Sequence, residues 1–299
     1  PQLSLAAHVL GFTSAEGHGV TGVEGAFDQR LIDKATRGDP LALSIDARVQ
    51  GVLESELGSA VANLEAIGGA GIILDVHTGE IAAMTSLPTY NPNKLMGEDP
   101  AARRNAVTYN LYELGSTFKP LTVAAAIDAG TVTSMARRYD ATQPLAIAGY
   151  KIRDLHSSGR WLNVPETLIH SSNIVTARIA DELGREKMEA MFRSLEFDGR
   201  PHIELKERAF PLWPKDWGRI TTMTTGYGHG IAVTPLHLAS AYAALVNGGI
   251  WRPATLMKLG DQAPPQGRRV FKAATSARMR QLLRLIVSDG TGKQAEAPG

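Results

Sequence analysis

Apolar positions in this chain change their spacing several times, and each change marks an element boundary. Beyond Ser44 and Asp46, which can cap a helix, Val49, Val52, Leu53, Leu57, Val61 and Leu64 recur near helical intervals until Gly68-Gly69 provides a stop. Two short apolar runs follow, residues 71–76 and 81–86, joined by His77-Thr78-Gly79-Glu80. That pattern predicts a β-hairpin, with Gly79 taking the positive φ of a tight turn. After a Pro/Asn-rich loop over residues 87–93, helices are predicted over 116–129, 173–183, 234–246 and 275–287. Gly130, Gly184 and Asn247-Gly248-Gly249 close the first three. Residues 1–40 are Gly-rich with short apolar stretches and read as an extended, non-catalytic lead-in, bounded by the polar segment DKATRGDP. Helices beside a hairpin imply an α/β (α+β) class in which helices pack on a mainly antiparallel sheet. The strands are too few to complete that sheet.

Composition narrows the function. A chain of 299 residues can hold one large domain and a smaller piece. Lys and Arg total 31 against 30 Asp and Glu, so no basic footprint for nucleic acid is present. The eight histidines are scattered singly and there is no cysteine, so neither a metal centre nor another cofactor is expected, and disulfide and thiol chemistry are excluded. No run approaches the roughly 18 apolar residues that span a bilayer. The start at Pro1 carries no signal-peptide pattern. The expectation is a fragment whose membrane anchor lies upstream.

The sharpest chemistry lies in Glu113-Leu114-Gly115-Ser116-Thr117-Phe118-Lys119-Pro120. Proline is tolerated best in the first turn of a helix, so Pro120 pins a helix start near Ser116. Positions i and i+3 share a face, which puts the Lys119 amine beside the Ser116 hydroxyl. The run LTVAAAI that follows is apolar on every side, so the helix should be buried. A desolvated lysine loses its proton more readily, as a Ser–Lys nucleophile–base pair requires. Ser116 as a plain N-cap and Lys119 as a solvated first-turn residue are the ordinary alternatives. Further along, Ser171-Ser172-Asn173 precedes the apolar helix IVTARIADELG. A hydroxyl and a carboxamide two apart can enter one cleft, the first relaying a proton and the second holding a substrate amide, although a helix cap alone would explain them too. His156 and His170 lie near this element; a surface or capping role is the commoner one for such histidines. Thr225-Gly226-Tyr227-Gly228-His229 reads as a turn before the helix at 234 and stays outside the catalytic set.

An SxxK followed by SxN is the ordered pair of serine β-lactamases and penicillin-binding proteins, completed there by KTG. The chain resembles a class B (monofunctional) penicillin-binding protein, closest to the division-specific peptidoglycan D,D-transpeptidases. The resemblance runs through LAAHVLGF, GVEGAFD, LALSIDARVQ, GAGIILDVHTGEIAAMTSLPTYNPN, RNAVTYNLYELGSTFKP, HSSNIVTARIA and GYGHGIAVTPLHLASAYAALVNGGI, nearly the whole chain. Leu114 stands where the family often has Pro, and Asn110 where it often has Asp; neither is a reacting group.

The resemblance implies a penicillin-binding/serine β-lactamase-like transpeptidase fold, with residues 1–40 a remnant of the pedestal or linker and 41–299 the transpeptidase domain. It implies that Ser116 attacks a peptidoglycan stem peptide ending in D-Ala-D-Ala, that Lys119 takes its proton, that Ser171 relays a proton to the leaving D-Ala, and that Asn173 binds the substrate amide. β-Lactams would acylate the same serine. A membrane glycan polymerase and other division proteins are the implied partners, at the periplasmic face of the inner membrane. The family's third motif, Lys-Thr/Ser-Gly, does not occur, and Thr291-Gly292-Lys293 has the letters in another order. The expectation is therefore a chain truncated before that strand, with its active site incomplete by itself. A serine β-lactamase, a D,D-carboxypeptidase, and a β-lactam sensor or non-catalytic scaffold are the competing readings.

Overall fold

The computed structural model describes residues 3–97 and 99–297. Pro1 and Gly299, on which the expectations about the two ends rest, lie outside them. The lead-in is not extended. It folds into three short helices, α1 (Ala7–Leu10), α2 (Gly22–Ala26) and α3 (Asp28–Ile32). Their apolar runs are too brief to show a period, yet Ala6, Val9 and Val23 are buried in one cluster with Ile81 and Met84. Burial against the hairpin cluster, rather than local propensity, organises α1 and α2, while α3 buries no residue.

Helix α4 (Ala47–Asn63) starts at Asp46, whose carboxylate accepts from the backbone N–H groups of Arg48 and Val49. Ser44 does not share the capping; its hydroxyl donates to Ile81 O at 2.8 Å. The helix ends at Asn63, short of the glycine pair, because Glu65 turns left-handed at φ 50°. Gln50, fully buried, uses its amide to accept from Met84 N at 2.8 Å and donate to Met84 O at 2.9 Å. Asp46 N donates to Ala82 O at 2.9 Å beside it. The strand so engaged is β2 (Ile81–Leu87), antiparallel to β1 (Gly69–Leu74). Gly79 turns between them at φ +82°, and a Cβ there would lie 2.4 Å from Pro253 O.

Beyond α5 (Ala106–Tyr109), a 3-10 turn over Gly115–Phe118 leads into α6 (Lys119–Asp128). Every residue from Lys119 to Ala126 is buried, as the all-round apolar run predicts. Two small antiparallel pairs follow: β3 (Arg138–Asp140) with β6 (Trp161–Asn163), and β4 (Leu145–Ile147) with β5 (Tyr150–Ile152). Helices α7 (Val164–Ile169), α8 (Asn173–Leu183), α9 (Arg185–Ser194), α10 (Arg219–Thr225) and α11 (Pro235–Val246) come next. The last elements are the antiparallel pair β7 (Ile250–Trp251) and β8 (Arg268–Arg269), then α12 (Ala273–Ser288).

The main core gathers α6, α8, α9, α11 and α12 around Phe118, Phe192 and Phe197, whose ring centroids lie 5.4–5.7 Å apart. Asp128, at the end of α6, accepts from Lys272 N and Thr275 Oγ1, each at 2.7 Å, and so fastens α12 to α6. Helices packed with antiparallel strands match the α+β class read from the pattern. Among the described residues β1 pairs with β2 alone.

Candidate active site

The centre of the site is a helix start that the sequence compresses. Gly115, at φ +56°, enters the 3-10 turn, and Lys119 N bonds back to Ser116 O to close it. The predicted single helix is thus a tight turn followed by an α-helix, because Pro120 has no N–H to give the first α-type bond. The turn leaves Ser116 exposed while Lys119, one turn on, is 2% exposed.

The Lys119 amine donates to Ser171 O at 2.5 Å and to Ser171 Oγ at 2.7 Å. Among the described residues, Ser116 Oγ is not a hydrogen-bond partner of that amine. Burial pushes the amine down from 10.5 to about 8, opposed by the negative charge of Asp154. Ser116, Lys119 and Ser171 line one cleft of about 190 Å³, which Tyr242 and Thr291 border. The Tyr242 hydroxyl donates to Thr117 O at 2.7 Å, bracing the turn from α11.

Ser171 owes its position to a helix end. α7 terminates with Ser171 N bonded to Leu168 O and Ser172 N to Thr167 O, the paired contacts of a Schellman closure. Such a closure needs a left-handed residue, and Ser171 supplies it at φ 52°. Ser172 then becomes the N-cap of α8, accepting from Val175 N at 3.1 Å. A helix stop and a helix start share adjacent residues, and the side chain between them meets Lys119.

Asn173 is placed differently. It opens α8, its amide donates to Arg153 O at 2.9 Å, and it is not among the residues lining the cleft. His170 caps the end of α7 with its Nε2 3.2 Å from Arg160 Nη2, and His156 is exposed; neither borders the cleft. Lys293 is exposed and opens a short 3-10 turn, while its neighbour Thr291 reaches the cleft edge.

The glycine-rich run left out of the site on sequence grounds backs the Ser116 turn directly. Gly115 N donates to Gly228 O at 3.3 Å, Gly230 N to Glu113 Oε1 at 2.8 Å, and Thr122 Oγ1 to Gly226 O at 2.8 Å. At Gly228, φ +81°, a Cβ would lie 2.2 Å from Gly115 O. The alternation of glycines at 226, 228 and 230 was the signal of this close approach. Among the described residues no three His, Asp or Glu side chains gather as a metal site, and no helix is long and apolar enough to cross a membrane.

Comparison with known proteins gives a consistent set of matches. Residues 69–299 match the family profile described as the penicillin binding protein transpeptidase domain. The chain is 41% identical over 298 residues to the probable peptidoglycan D,D-transpeptidase FtsI of Caulobacter vibrioides, covering 98% of this chain and 50% of that protein. It is 31% identical to the peptidoglycan D,D-transpeptidase FtsI of Escherichia coli K12, covering 98% and 53%. The chain therefore spans about half the length of these curated relatives. Among solved structures, penicillin binding protein 3 of Mycobacterium tuberculosis complexed with aztreonam superposes with a TM-score of 0.89 at 25% identity, over 100% of this chain and 72% of that one.

Proposed function

The chain belongs to the penicillin-binding protein transpeptidase family, and on that premise we propose that it carries the acyl-transfer site of a peptidoglycan D,D-transpeptidase. The observation that supports this best is the buried Lys119 amine, held down to about 8 and bonded to Ser171 in the cleft that Ser116 borders. Ser116 Oγ attacks the carbonyl of the penultimate D-Ala of a stem peptide, and Lys119 accepts the hydroxyl proton. The Ser116 N–H steadies the developing oxyanion. The peptide bond breaks, Ser171 passes a proton to the departing D-Ala amine, and an acyl-Ser116 ester remains. An amine from a second stem attacks the ester, forms the cross-link and frees Ser116. Asn173 holds the substrate backbone amide once its own bond to Arg153 O is exchanged.

β-Lactams react at the same serine and leave slowly; the aztreonam complex of the Mycobacterium relative supports this class of inhibitor. The transpeptidase domain is assigned to residues 41–299 and a non-catalytic pedestal piece to 1–40. By its resemblance to the class B enzymes, we place the site at the periplasmic face of the inner membrane, beside a glycan polymerase.

The test uses the protein at its native length with a fluorescent penicillin and with two stem peptides. Labelling that maps to Ser116 and disappears in Ser116→Ala, together with a cross-linked product, is expected. Rapid hydrolysis of the penicillin without cross-linking would instead identify a β-lactamase, and no labelling would overturn the acyl-transfer reading.

A further inference from the structure

Asp154, in the segment between β5 and β6, has both carboxylate oxygens engaged at the start of α8. Oδ1 accepts from Ile174 N at 2.9 Å and Oδ2 from the buried Ser172 hydroxyl at 2.8 Å. Its neighbour Arg153 supplies the carbonyl that takes the Asn173 amide. Residues 153 and 154 thereby hold 172, 173 and 174 in place. Ser171 comes immediately before them, in a left-handed conformation that is costly for a non-glycine residue and lasts only when its surroundings over-determine it. Part of that determination is the Schellman closure of α7, and part is this carboxylate clamp on the next residue.

Asp154 also matters electrostatically. Desolvation is the larger influence on the Lys119 amine, and Asp154 is the charged group that opposes it. From α11, Tyr242 is the other titratable side chain bordering the cleft, and burial pushes its phenol further up, so it stays neutral. From α7, the loop after it, α12 and the segment that follows α12, the cleft is lined by Leu168, Ser171, Ile286 and Thr291, which carry no charge.

We propose that Asp154 is a positioning residue of the site, fixing the Ser171 turn on which the Lys119 amine rests and supplying the negative charge that this amine faces. Through Ser172 and Ser171 it sets the geometry of the proton relay; through space it sets how readily Lys119 gives up its proton. This rests on Lys119 being the base, but its test does not need turnover.

Asp154→Asn keeps an oxygen for Ile174 N and removes the charge, and Asp154→Ser, which keeps a capping hydroxyl, serves if the first variant does not fold. In the protein at native length, the titration of Lys119 is followed by NMR of lysine labelled at Cε, with its signal identified by loss in Lys119→Arg. Loss of the carboxylate is expected to move that titration to lower pH, and the rising limb of penicillin acylation with it. The acylation rate on the alkaline plateau should also fall several-fold as the Ser171 turn loosens. A Lys119 titration unmoved in a variant that melts like the wild type would overturn the proposal. A moved titration in a protein that no penicillin acylates would uphold it and instead sink the transpeptidase reading.

Discussion

Lys119 and Ser171, 52 positions apart, meet amine to hydroxyl at 2.7 Å while the same amine also reaches the Ser171 carbonyl oxygen at 2.5 Å. The double contact ties the first turn of α6 to the junction of α7 and α8. It bears on the proposed chemistry as well: the amine is bonded to the serine that must deliver a proton, in the cleft bordered by the serine that must lose one.

Acylation should therefore follow the free amine. With the Lys119 proton held at about 8, the rate of labelling by a fluorescent penicillin is expected to climb as pH rises through that value. Lys119→Arg, which cannot shed its proton, should lower the rate by about 10²–10⁴-fold, the usual worth of a general base. Equal rates at pH 6 and pH 9 would contradict the assignment of Lys119.

Ser171→Gly separates stability from activity. The position is left-handed at φ 52°, where glycine carries no steric cost. Denaturant unfolding should show a gain of up to about 1 kcal/mol, while acylation or aminolysis falls because the relay hydroxyl is gone. A variant both less stable and fully active would refute this.

Gly228→Ala tests the support behind the nucleophile. The new Cβ would press 2.2 Å from Gly115 O at a backbone angle of +81°. A loss of roughly 1–3 kcal/mol is expected, measured by thermal melting, with acylation at Ser116 reduced even at temperatures where the variant is fully folded.

His237 should make the fold acid-sensitive. At the start of α11 its Nδ1 accepts from Thr234 N at 3.2 Å, and its Nε2–H donates to Gly199 O at 3.0 Å. Burial pushes the ring from 6.5 down to about 4. The unfolded chain thus takes up a proton that the folded one refuses. Stability from this group is complete above pH 6.5 and is lost as pH falls toward 4, by about 3 kcal/mol in all. Unfolding free energies across that window, compared with His237→Gln, should show the slope flattening in the variant.

What was readable from the sequence shares one physical property: it is local. The caps and stops of α8 and α11 and the Gly79 turn each depend on residues a few positions apart and stand in the structure where the pattern puts them, while the Lys119 amine expected beside the Ser116 hydroxyl bonds to Ser171. Helix α7 carried its own signal, the Asn163/Glu166 capping box with Pro165, but its short apolar stretch gave no period to notice. Other features depend on distant segments and left no local mark. The first helices of the lead-in are held by burial in the β2 cluster, and Asp154 sits in a stretch with no regular pattern. Asn173 was expected in the cleft and is instead held by Arg153, a partner 20 positions away in the chain.

Gln50 bears on a different hazard. A strand rim with unused amide groups is a template on which another chain can add itself, and proteins guard such rims against aggregation. Along β2 the rim facing α4 is closed at Ala82 by the backbone of Asp46 and at Met84 by the Gln50 amide, which satisfies both the N–H and the C=O as a neighbouring strand would. One helix side chain thus takes the place of a strand, and the apolar β2 sequence has no vacancy there for a second molecule to fill.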